Sequence, residues 1–204
     1  NFTNNYLMEQ HMPFTIVDTT DNNQQECINQ VTEDMLKLNT IWNSYRICTT
    51  CNQHNCNVTF PIALPRGNIR AKYMVVGQNP AGRGKSNHKY ITMFNDSSGS
   101  GIIIDVLKKA GIYLDCWFTN IVQCSTSDNK INNYQVEECK LILSLEIEHI
   151  KPKKIFALGN ETYKYMKQHF SELNIVKVKH PAYVKRFYSK KPDKIEEYIN
   201  KFQS

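Results

Sequence analysis

Apolar residues along this chain follow two periodicities, one typical of strands and one typical of helices. Four short apolar runs predict buried strands, at residues 71–77, 116–122, 154–158 and 174–179. Helical spacing occurs at 101–110, 134–150 and 160–170, and again after Pro192. Strands that alternate with helices form right-handed crossovers and a parallel sheet. The pattern therefore predicts an α/β fold in three layers, α/β/α, around a mostly parallel four-stranded sheet.

The N-terminal part of the pattern predicts an arm followed by one long helix. Residues 1–36 contain no Lys or Arg and are rich in Asn and Gln, and we expect 1–18 to form an extended or flexible arm. Asp21 can cap the helix that follows. Apolar residues then recur at alternating steps of three and four, which predicts a face packed on the core: Ile28, Val31, Met35, Leu38, Trp42 and Tyr45. We expect residues 19–204 to form one domain, since a chain of this length supports one α/β domain.

Composition excludes a disordered chain and shows an uneven charge. The sequence is 41% hydrophobic and 22% charged, which is ordinary for a globular protein. Its net charge is +6, but residues 1–150 carry a net −2 and residues 151–204 a net +8. This basic quarter predicts a face for a polyanion, although a solvated Lys-rich surface accounts for such a bias equally well. No apolar run is long enough to span a membrane.

Seven cysteines give the most specific constraint on chemistry. Their odd number and the lack of a secretory apolar segment at the start favour an intracellular, reducing compartment, in the cytoplasm or nucleus, over a disulfide framework. Cys48 and Cys51 form one chelating pair, and Cys124 and Cys139 follow in a separate region. Four thiolates of this kind suit a tetrahedral zinc or an iron–sulfur cluster, and the spacing does not choose between them. Cys56 could replace one of the four.

The loop after the first strand is the first candidate for function, because ligands of parallel sheets bind beyond the carboxyl ends of the strands. Its Gly-Lys-Ser at 84–86 suggests a phosphate-binding loop. However, Asn79 stands where that motif requires Gly, Pro80 removes a backbone N–H, and no clear helix opens at Ser86. These differences disfavour an NTPase. The loop is suited to place backbone and the Asn79 amide near a polar ligand or a water, and a plain tight turn is the alternative.

Polar groups also follow the other three strands. Asn120 carries a donor and an acceptor that can read a pyrimidine edge, although such an Asn is often a turn or cap residue. Gly159 and Asn160 precede a helix whose first N–H groups could bind a phosphate, and helix capping by Asn160 is the alternative. His180 opens the basic segment and is followed by Pro181, and a structural and a functional role are equally compatible with its position.

In this order, the segments resemble the iron–sulfur branches of the uracil-DNA glycosylase superfamily, families four and five. Residues 180–183, His-Pro-Ala-Tyr, match a family-four motif, and 77–81, Gly-Gln-Asn-Pro-Ala, are similar to the family's water-handling loop. The similarity spans about residues 40 to 186 and includes further segments: 94–99 with a stacking aromatic, 118–124 ending in a cluster cysteine, 127–130, and 151–159 with its Gly turn.

The resemblance implies a glycosylase that flips a base out of DNA and hydrolyses its N-glycosidic bond. It implies that His180 donates to the base oxygen and that Asn79 or Asp96 handles the water. Its other implied residues fall into three groups. They are Gly77, Gln78, Phe94 and Asn120 for the base, Gly159, Asn160, Ala182, Tyr183, Val184, Lys185 and Arg186 for DNA, and Cys48, Cys51, Cys124 and Cys139 for a structural [4Fe-4S] cluster. Val184 and Lys185 would lie near the gap that the flipped base leaves.

The chain also departs from the family pattern. Family four has an acidic residue where this chain has Gln78, and Asn79 is a neutral amide and a poor base. Asp96 is therefore the alternative carboxylate. Uracil is the default base, while a modified pyrimidine or a deaminated purine stays open.

Two other functions remain open at this point. The first is a non-catalytic DNA-binding or damage-sensing module with the same fold and cluster. The second is a nucleotide-binding domain that a structural zinc stabilises. We expect a monomer without lyase activity, which would need a positioned amine such as that of Lys85.

Overall fold

The computed structural model describes residues 21–46, 58–80, 90–92, 94, 101–126 and 130–203. The predicted arm at 1–18, its boundary with the domain, the Cys48–Cys51 pair and Cys56 lie outside these residues. So do Lys85 and Asp96. The chain divides into two compact units, Asn1–Leu36 and Lys37–Ser204.

Strands come first after the N-terminal helix, and strands and helices mostly alternate in the rest of the described chain. They are α1 Asp21–Arg46, β1 Val58–Leu64, β2 Arg66–Gly67, β3 Tyr73–Gly77, β4 Tyr90–Thr92, α2 Gly101–Lys109, a short 3-10 turn Tyr113–Asp115, β5 Cys116–Asn120, β6 Cys124–Thr126, α3 Asn133–Ile150, β7 Lys154–Leu158, α4 Asn160–His169, β8 Ile175–Val178, α5 Pro181–Phe187 and α6 Pro192–Gln203.

The main sheet has the strand order β2-β5-β3-β7-β8. Four of these strands are parallel, and they are the four predicted from the sequence. The two-residue strand β2 adds an antiparallel edge, in which Arg66 pairs with Phe118. The predicted α/β class and four-stranded parallel core are therefore confirmed, with this short edge strand in addition.

Side chains that alternate along the strands pack into two cores, one on each face of the sheet. One core joins the sheet to α3, α4 and the end of α1, and includes Met74, Val76, Trp117, Ile155, Ala157, Leu143, Met166, Ile41 and Tyr45. The other joins it to α2, α5 and α6, and includes Val75, Phe118, Phe156, Val178, Ile103, Leu107, Val184, Tyr198 and Phe202. This is the three-layer arrangement that the pattern predicts.

A second, three-stranded sheet was not predicted. It has the order β4-β1-β6, with β4 parallel and β6 antiparallel to β1. Residues 52–68 have the Asn, Pro and Gly content of a loop, so the local sequence predicts a loop where β1 forms. Pairing with β6 overrides that local preference and brings Cys124 opposite Ile62.

The apolar stripe on α1 is only partly buried. Ile41 and Tyr45 are fully buried, whereas Ile28 is 58% exposed and Met35 is 45% exposed. The prediction that this stripe packs on the core is therefore wrong for Ile28 and Met35. None of the helices in the described part of the chain has the length and hydropathy needed to cross a lipid bilayer.

Candidate functional site

Four candidate residues lie at the same edge of the main sheet. Asn120 ends β5, Gly77 ends β3, Gly159 directly follows β7, and His180 follows β8 after one residue. These strands are neighbours and parallel, so their carboxyl ends meet at this edge. The chain runs from β3 to β5 on one side and later to β7 on the other side of β3, which opens a crevice there.

Gly77, Asn120 and Phe94 converge at the centre of this crevice. Gly77 pairs with Asn120 across the two strands. A Cβ atom on Gly77 would overlap Asn120 Oδ1 and lie 3.1 Å from Phe94 Cζ. Only a residue without a side chain therefore allows the Asn120 amide and the Phe94 ring to approach the backbone here. Asn120 is almost fully buried, with 5% of its surface exposed.

Arg66 holds Phe94 in place and was missed by the sequence analysis. Its Nη2 donates to the Phe94 carbonyl oxygen at 2.6 Å. Its guanidinium lies over the Phe118 ring, 5.1 Å from the centroid, and the rings of Phe94 and Phe118 are 5.6 Å apart. Phe94 has a φ of 51°, a left-handed conformation that is unfavourable for an aromatic residue. The Arg66 hydrogen bond helps to stabilise this conformation.

The loop after β3 is tied to the chain that leaves β5. Ile121 N donates to Gly77 O and Val122 N donates to Gln78 O, both at 3.0 Å. Asn79 is half-buried, and its Nδ2 donates to Pro80 O at 3.1 Å. This local bond leaves the Asn79 Oδ1 as the side-chain atom suited to accept a hydrogen bond from a water.

His180 is the N-cap of α5, and its surroundings define its tautomer. Its Nδ1 accepts the backbone N–H of Ala182 at 3.2 Å, so a neutral ring carries its proton on Nε2. His180 is exposed, but the protein removes part of the ring's hydration, and this desolvation lowers the pKa of His180. The neutral form, with Nε2 as a donor, is therefore favoured at neutral pH.

Gly159 brings the end of β7 against His180. A Cβ on Gly159 would lie 3.4 Å from His180 Cβ, and the residue has a φ of +94°, which favours glycine. Gly159 is also the N-cap of α4 and makes no side-chain capping bond. Asn160 is the exposed first residue of that helix, so the alternative in which Asn160 caps it is wrong.

Helix α5 separates the proposed DNA contacts into exposed and buried residues. Ala182, Tyr183, Lys185 and Arg186 are exposed. Val184 is fully buried and packs in the core with α2 and α6. The expectation that Val184 reaches toward DNA is therefore wrong: the sequence shows a loop-like motif, but the chain forms a helix that turns this side chain inward.

Two of the four candidate metal ligands lie in the described residues. Cys124 and Cys139 are both buried in the core shared with α3, α4 and α1. Within the parts of the chain that the structure describes, no three His, Cys, Asp or Glu side chains form a metal-binding group. For Cys27 and Cys116 a core position is the expectation. Cys116 is buried in the core shared with α2, α5 and α6, whereas Cys27 is exposed, so the expectation is wrong for Cys27.

Three buried polar side-chain atoms belong to residues near these two cysteines in the chain or in electrostatic interaction with one of them. Gln123 Oε1, Gln135 Nε2 and Tyr165 Oη are buried without a hydrogen-bond partner among the described residues. Gln123 precedes Cys124 in the chain, Gln135 is one helical turn before Cys139, and the Cys139 thiol contributes to a raised pKa of Tyr165 after burial and Glu137. Unpaired buried donors are costly and require an explanation, such as an acceptor that protein atoms do not supply.

Glu146 forms a buried network that joins α1, β5 and α3. It accepts hydrogen bonds from Trp117 Nε1 at 2.6 Å, Thr119 Oγ1 at 2.9 Å and the Tyr45 hydroxyl. Burial raises the pKa of Glu146 to about 7, although the three donors act in the opposite direction. The network fixes the strand residue directly before Asn120, and sequence reasoning missed it because its members are distant in the chain.

A comparison with protein families identifies the family of this chain. The family model "Uracil DNA glycosylase superfamily" matches residues 64–203. This match covers more than half of the chain, and the chain therefore belongs to the uracil DNA glycosylase superfamily. The resemblance on which the sequence analysis relied is confirmed at this level.

Two individual proteins are also similar to this chain. The type-4 uracil-DNA glycosylase of Pyrobaculum aerophilum is 30% identical over 115 residues, which is 55% of this chain and 55% of that protein. The match thus spans about half the length of this curated relative. The crystal structure of wild-type SMUG2 from Pedobacter heparinus has a TM-score of 0.46 and 14% identity, and the match covers 74% of this chain and 94% of that chain.

Proposed function

We propose that this protein is a DNA glycosylase that excises uracil, or another modified or deaminated base, and leaves an abasic site. The observation that carries the proposal is the convergence of Gly77, Asn120 and Phe94 at the carboxyl edge of the sheet, with His180 at the same edge. A flipped base needs a hydrogen-bonding edge reader, a flat apolar cover and close approach to the backbone, and these residues supply all three.

The proposed pocket would bind both the hydrogen-bonding edge and the flat face of the base. The Asn120 amide would pair with a carbonyl and an adjacent ring N–H of the base, as in uracil. The Phe94 ring would cover the base, held by Arg66 and Phe118. Gly77 and Gln78 would line the wall of the pocket. At Gly77 the absence of a side chain keeps this space open, since a larger residue there would overlap Asn120.

His180 would stabilise charge on the departing base. Cleavage of the N-glycosidic bond leaves an anionic base, and its negative charge develops on the carbonyl oxygen. The Nε2–H of neutral His180 is the donor available there, since Nδ1 is occupied by the Ala182 N–H. The bond to the base breaks, the sugar becomes oxocarbenium-like, and a water oxygen then adds to its C1′ and releases a proton.

Water handling is assigned to the loop after β3. Asn79 Oδ1 can orient a water but is a poor base, so the proposal relies on a dissociative transition state or on the Asp96 carboxylate. Asp96 lies outside the described residues. No step requires an amine nucleophile, and we propose a monofunctional hydrolase without lyase activity.

DNA would lie across α5 and the start of α4. Asn160 and the Gly159 turn would contact phosphate through the backbone N–H groups of α4. Ala182, Tyr183, Lys185 and Arg186 form the exposed part of α5, and the basic residues would contact phosphates. We propose that the protein acts as a monomer, in a reducing intracellular compartment where its cysteines form no disulfides.

A structural [4Fe-4S] cluster on Cys48, Cys51, Cys124 and Cys139 fits the described half of the site. Cys124 and Cys139 share one buried core, and the unpaired donors Gln135 Nε2 and Tyr165 Oη are suited to cluster sulfur atoms. When bound, the cluster would link β6 and α3, which carry Cys124 and Cys139, to the segment that carries Cys48 and Cys51. Zinc with the same thiolates is the alternative, but it would offer no sulfide acceptors to these donors.

A strand-cleavage panel tests the proposal. Purified protein is incubated with single-stranded and duplex DNA that contains uracil, hypoxanthine or a modified pyrimidine, and the product is treated with alkali. We expect cleavage at one of these bases, its loss in Asn120→Ala and His180→Ala, and wild-type cleavage in Asn200→Ala, an exposed Asn on α6. Intact strands across the panel would contradict the proposal. Salt-sensitive binding without cleavage would instead support a non-catalytic DNA-binding module.

A further inference from the structure

The backbone that leaves β5 at Asn120 is fixed by hydrogen bonds on two sides. Ile121 N donates to Gly77 O at 3.0 Å, so the peptide group between Asn120 and Ile121 is held on the side of β3. The C=O of a trans peptide group points away from its N–H, and the Asn120 carbonyl therefore faces the other side. There the pairing of β2 with β5 ends at Phe118. A buried carbonyl beyond the end of this pairing needs another partner.

Gln123 supplies that partner. Its Nε2 donates to Asn120 O at 2.7 Å, and this hydrogen bond is buried. The Gln123 backbone is itself anchored, because its carbonyl accepts the N–H of Ala63 in β1 at 3.0 Å. The peptide group after Asn120 is thus held by Gly77 on one side and by the Gln123 side chain on the other. It cannot turn without the loss of a buried hydrogen bond.

The burial of Gln123 indicates which end of its amide matters. Only 2% of the residue is exposed, and its Oε1 has no hydrogen-bond partner among the described residues. Burial of an unpaired oxygen is unfavourable, and an apolar side chain of the same length would avoid it. The bond from Nε2 to Asn120 O, in contrast, requires a donor at this position. The amide is therefore explained by its effect on Asn120 rather than by core packing.

We infer that Gln123 is a positioning residue for the Asn120 amide and determines how selectively the pocket reads a base. This inference rests on the proposed function, in which the Asn120 amide pairs with the edge of the flipped base. The orientation of a side chain depends on the backbone torsions of its residue, and the peptide group that Gln123 holds sets the ψ of Asn120. Gln123 acts on the base only through Asn120.

Gln123→Met tests this role with little change in packing, because Met is a flexible side chain of similar length. The variant leaves the Asn120 carbonyl unpaired but also removes the unpaired Oε1, so the urea midpoint of unfolding should shift little. We would measure dissociation constants for a duplex with one 2′-fluoro-2′-deoxyuridine, whose electron-withdrawing fluorine resists glycosidic cleavage, and for the same duplex with thymidine. The preference for the uracil duplex should fall about tenfold, since a small displacement of a positioned group is enough for such a loss.

The Asn120 side-chain amide also gives a direct readout. Its NMR signals, assigned by comparison with Asn120→Asp, should be sharp in the wild type and broadened or doubled in Gln123→Met. Asn68→Ala is the matched control, because it removes an amide that donates to another backbone carbonyl, Leu114 O at 3.2 Å, just before β5 begins. This control should change neither the preference nor the Asn120 signals.

An unchanged preference together with unchanged Asn120 signals in Gln123→Met would overturn the inference. Equal loss of affinity for both duplexes with a lower urea midpoint would overturn it as well, since a general loss of structure weakens both. If the wild type itself does not distinguish the two duplexes, the uracil preference in the proposed function fails. The Asn120 signals then decide the positioning role on their own.

Discussion

Gly77 and Asn120 are directly paired at the ends of β3 and β5, and the Asn120 amide occupies the space that a side chain on Gly77 would need. The pair explains why a glycine ends β3. It also places a buried amide at the bottom of a crevice, where nearly all of its surface is covered by protein. Pocket shape and base reading are thus controlled by one contact.

Gly77→Ala should abolish most base excision while the protein stays folded. The added methyl group would displace the Asn120 amide and press on Phe94, and a displacement of about 1 Å in such a site can reduce activity about a hundredfold. Single-turnover excision rates measure the effect. Gly111→Ala is the matched control, because Gly111 has no atom within 4 Å of its Cβ position but has a φ of +77°. It should lower stability and leave excision unchanged. Equal activity in Gly77→Ala and wild type would contradict the role of this contact.

Arg66→Ala should weaken substrate binding more than the chemical step. Without the hydrogen bond to its carbonyl, Phe94 loses support for its left-handed backbone and for its position over the base. We expect KM to increase about tenfold with a smaller change in kcat. Arg70→Ala, a change at an exposed arginine outside the site, serves as the control. A pure kcat effect would indicate that Arg66 acts on the chemistry instead.

His180→Asn should separate catalysis from helix capping. Asn is a good N-cap, so α5 should remain folded, while the loss of the imidazole donor should lower excision about a hundredfold. Because the pKa of His180 is lowered in the folded state, the unfolded state binds more protons at acidic pH. The wild type should therefore lose stability as pH falls below about 6.5, the ordinary pKa of His, and His180→Asn should lose less. Urea unfolding at several pH values provides the measurement.

Glu146→Gln should destabilise the fold. The carboxylate accepts from three donors, and a glutamine replaces one acceptor oxygen with an NH₂ group that faces a donor. An unsatisfied buried donor costs about 1–3 kcal/mol, which should appear in the free energy of unfolding. Glu148→Gln on the exposed side of α3 should cost much less. Since the folded-state pKa of Glu146 is raised to about 7, its ionisation reduces wild-type stability as pH rises from about 4.5 toward 7, and Glu146→Gln should lack this decrease.

Cys139→Ser should remove bound iron and acid-labile sulfide from the protein as purified. A serine hydroxyl is a much weaker ligand for such a cluster than a thiolate, and without the cluster the neighbouring donors would lose their acceptor. Cys116→Ser changes a buried cysteine outside the ligand set, and its metal content should match that of the wild type. Metal analysis and visible absorbance give the answer. Zinc in place of iron and sulfide in the wild type would support the alternative metal.

Local pattern was sufficient for the elements whose neighbours do not alter their preference. The four parallel strands and the helices α2, α3, α4 and α6 appear within one or two residues of their predicted bounds. The positions of Asn120, Gly159 and His180 at one sheet edge followed from the same alternation, because parallel strands place their carboxyl ends together. Local periodicity predicts such elements well when burial and propensity agree.

Tertiary structure decided everything that depends on contacts between distant residues. Strand β1 pairs with β6 despite a loop-like composition, and Ile28 on α1 stays exposed despite its helical stripe. Arg66 supports Phe94 across 28 positions, and Glu146 joins Tyr45 to Trp117. Such partners carry no local signal.

The sequence by itself determined the fold class, the strand ends that carry the candidate chemistry, and the superfamily. Only the tertiary structure decided which α5 side chains face solvent: Val184 enters the core, while Tyr183 and Phe187 form an exposed aromatic pair. The physical reason is that a helix has to bury one face against α2 and α6, and the choice of that face depends on packing partners far away in the chain.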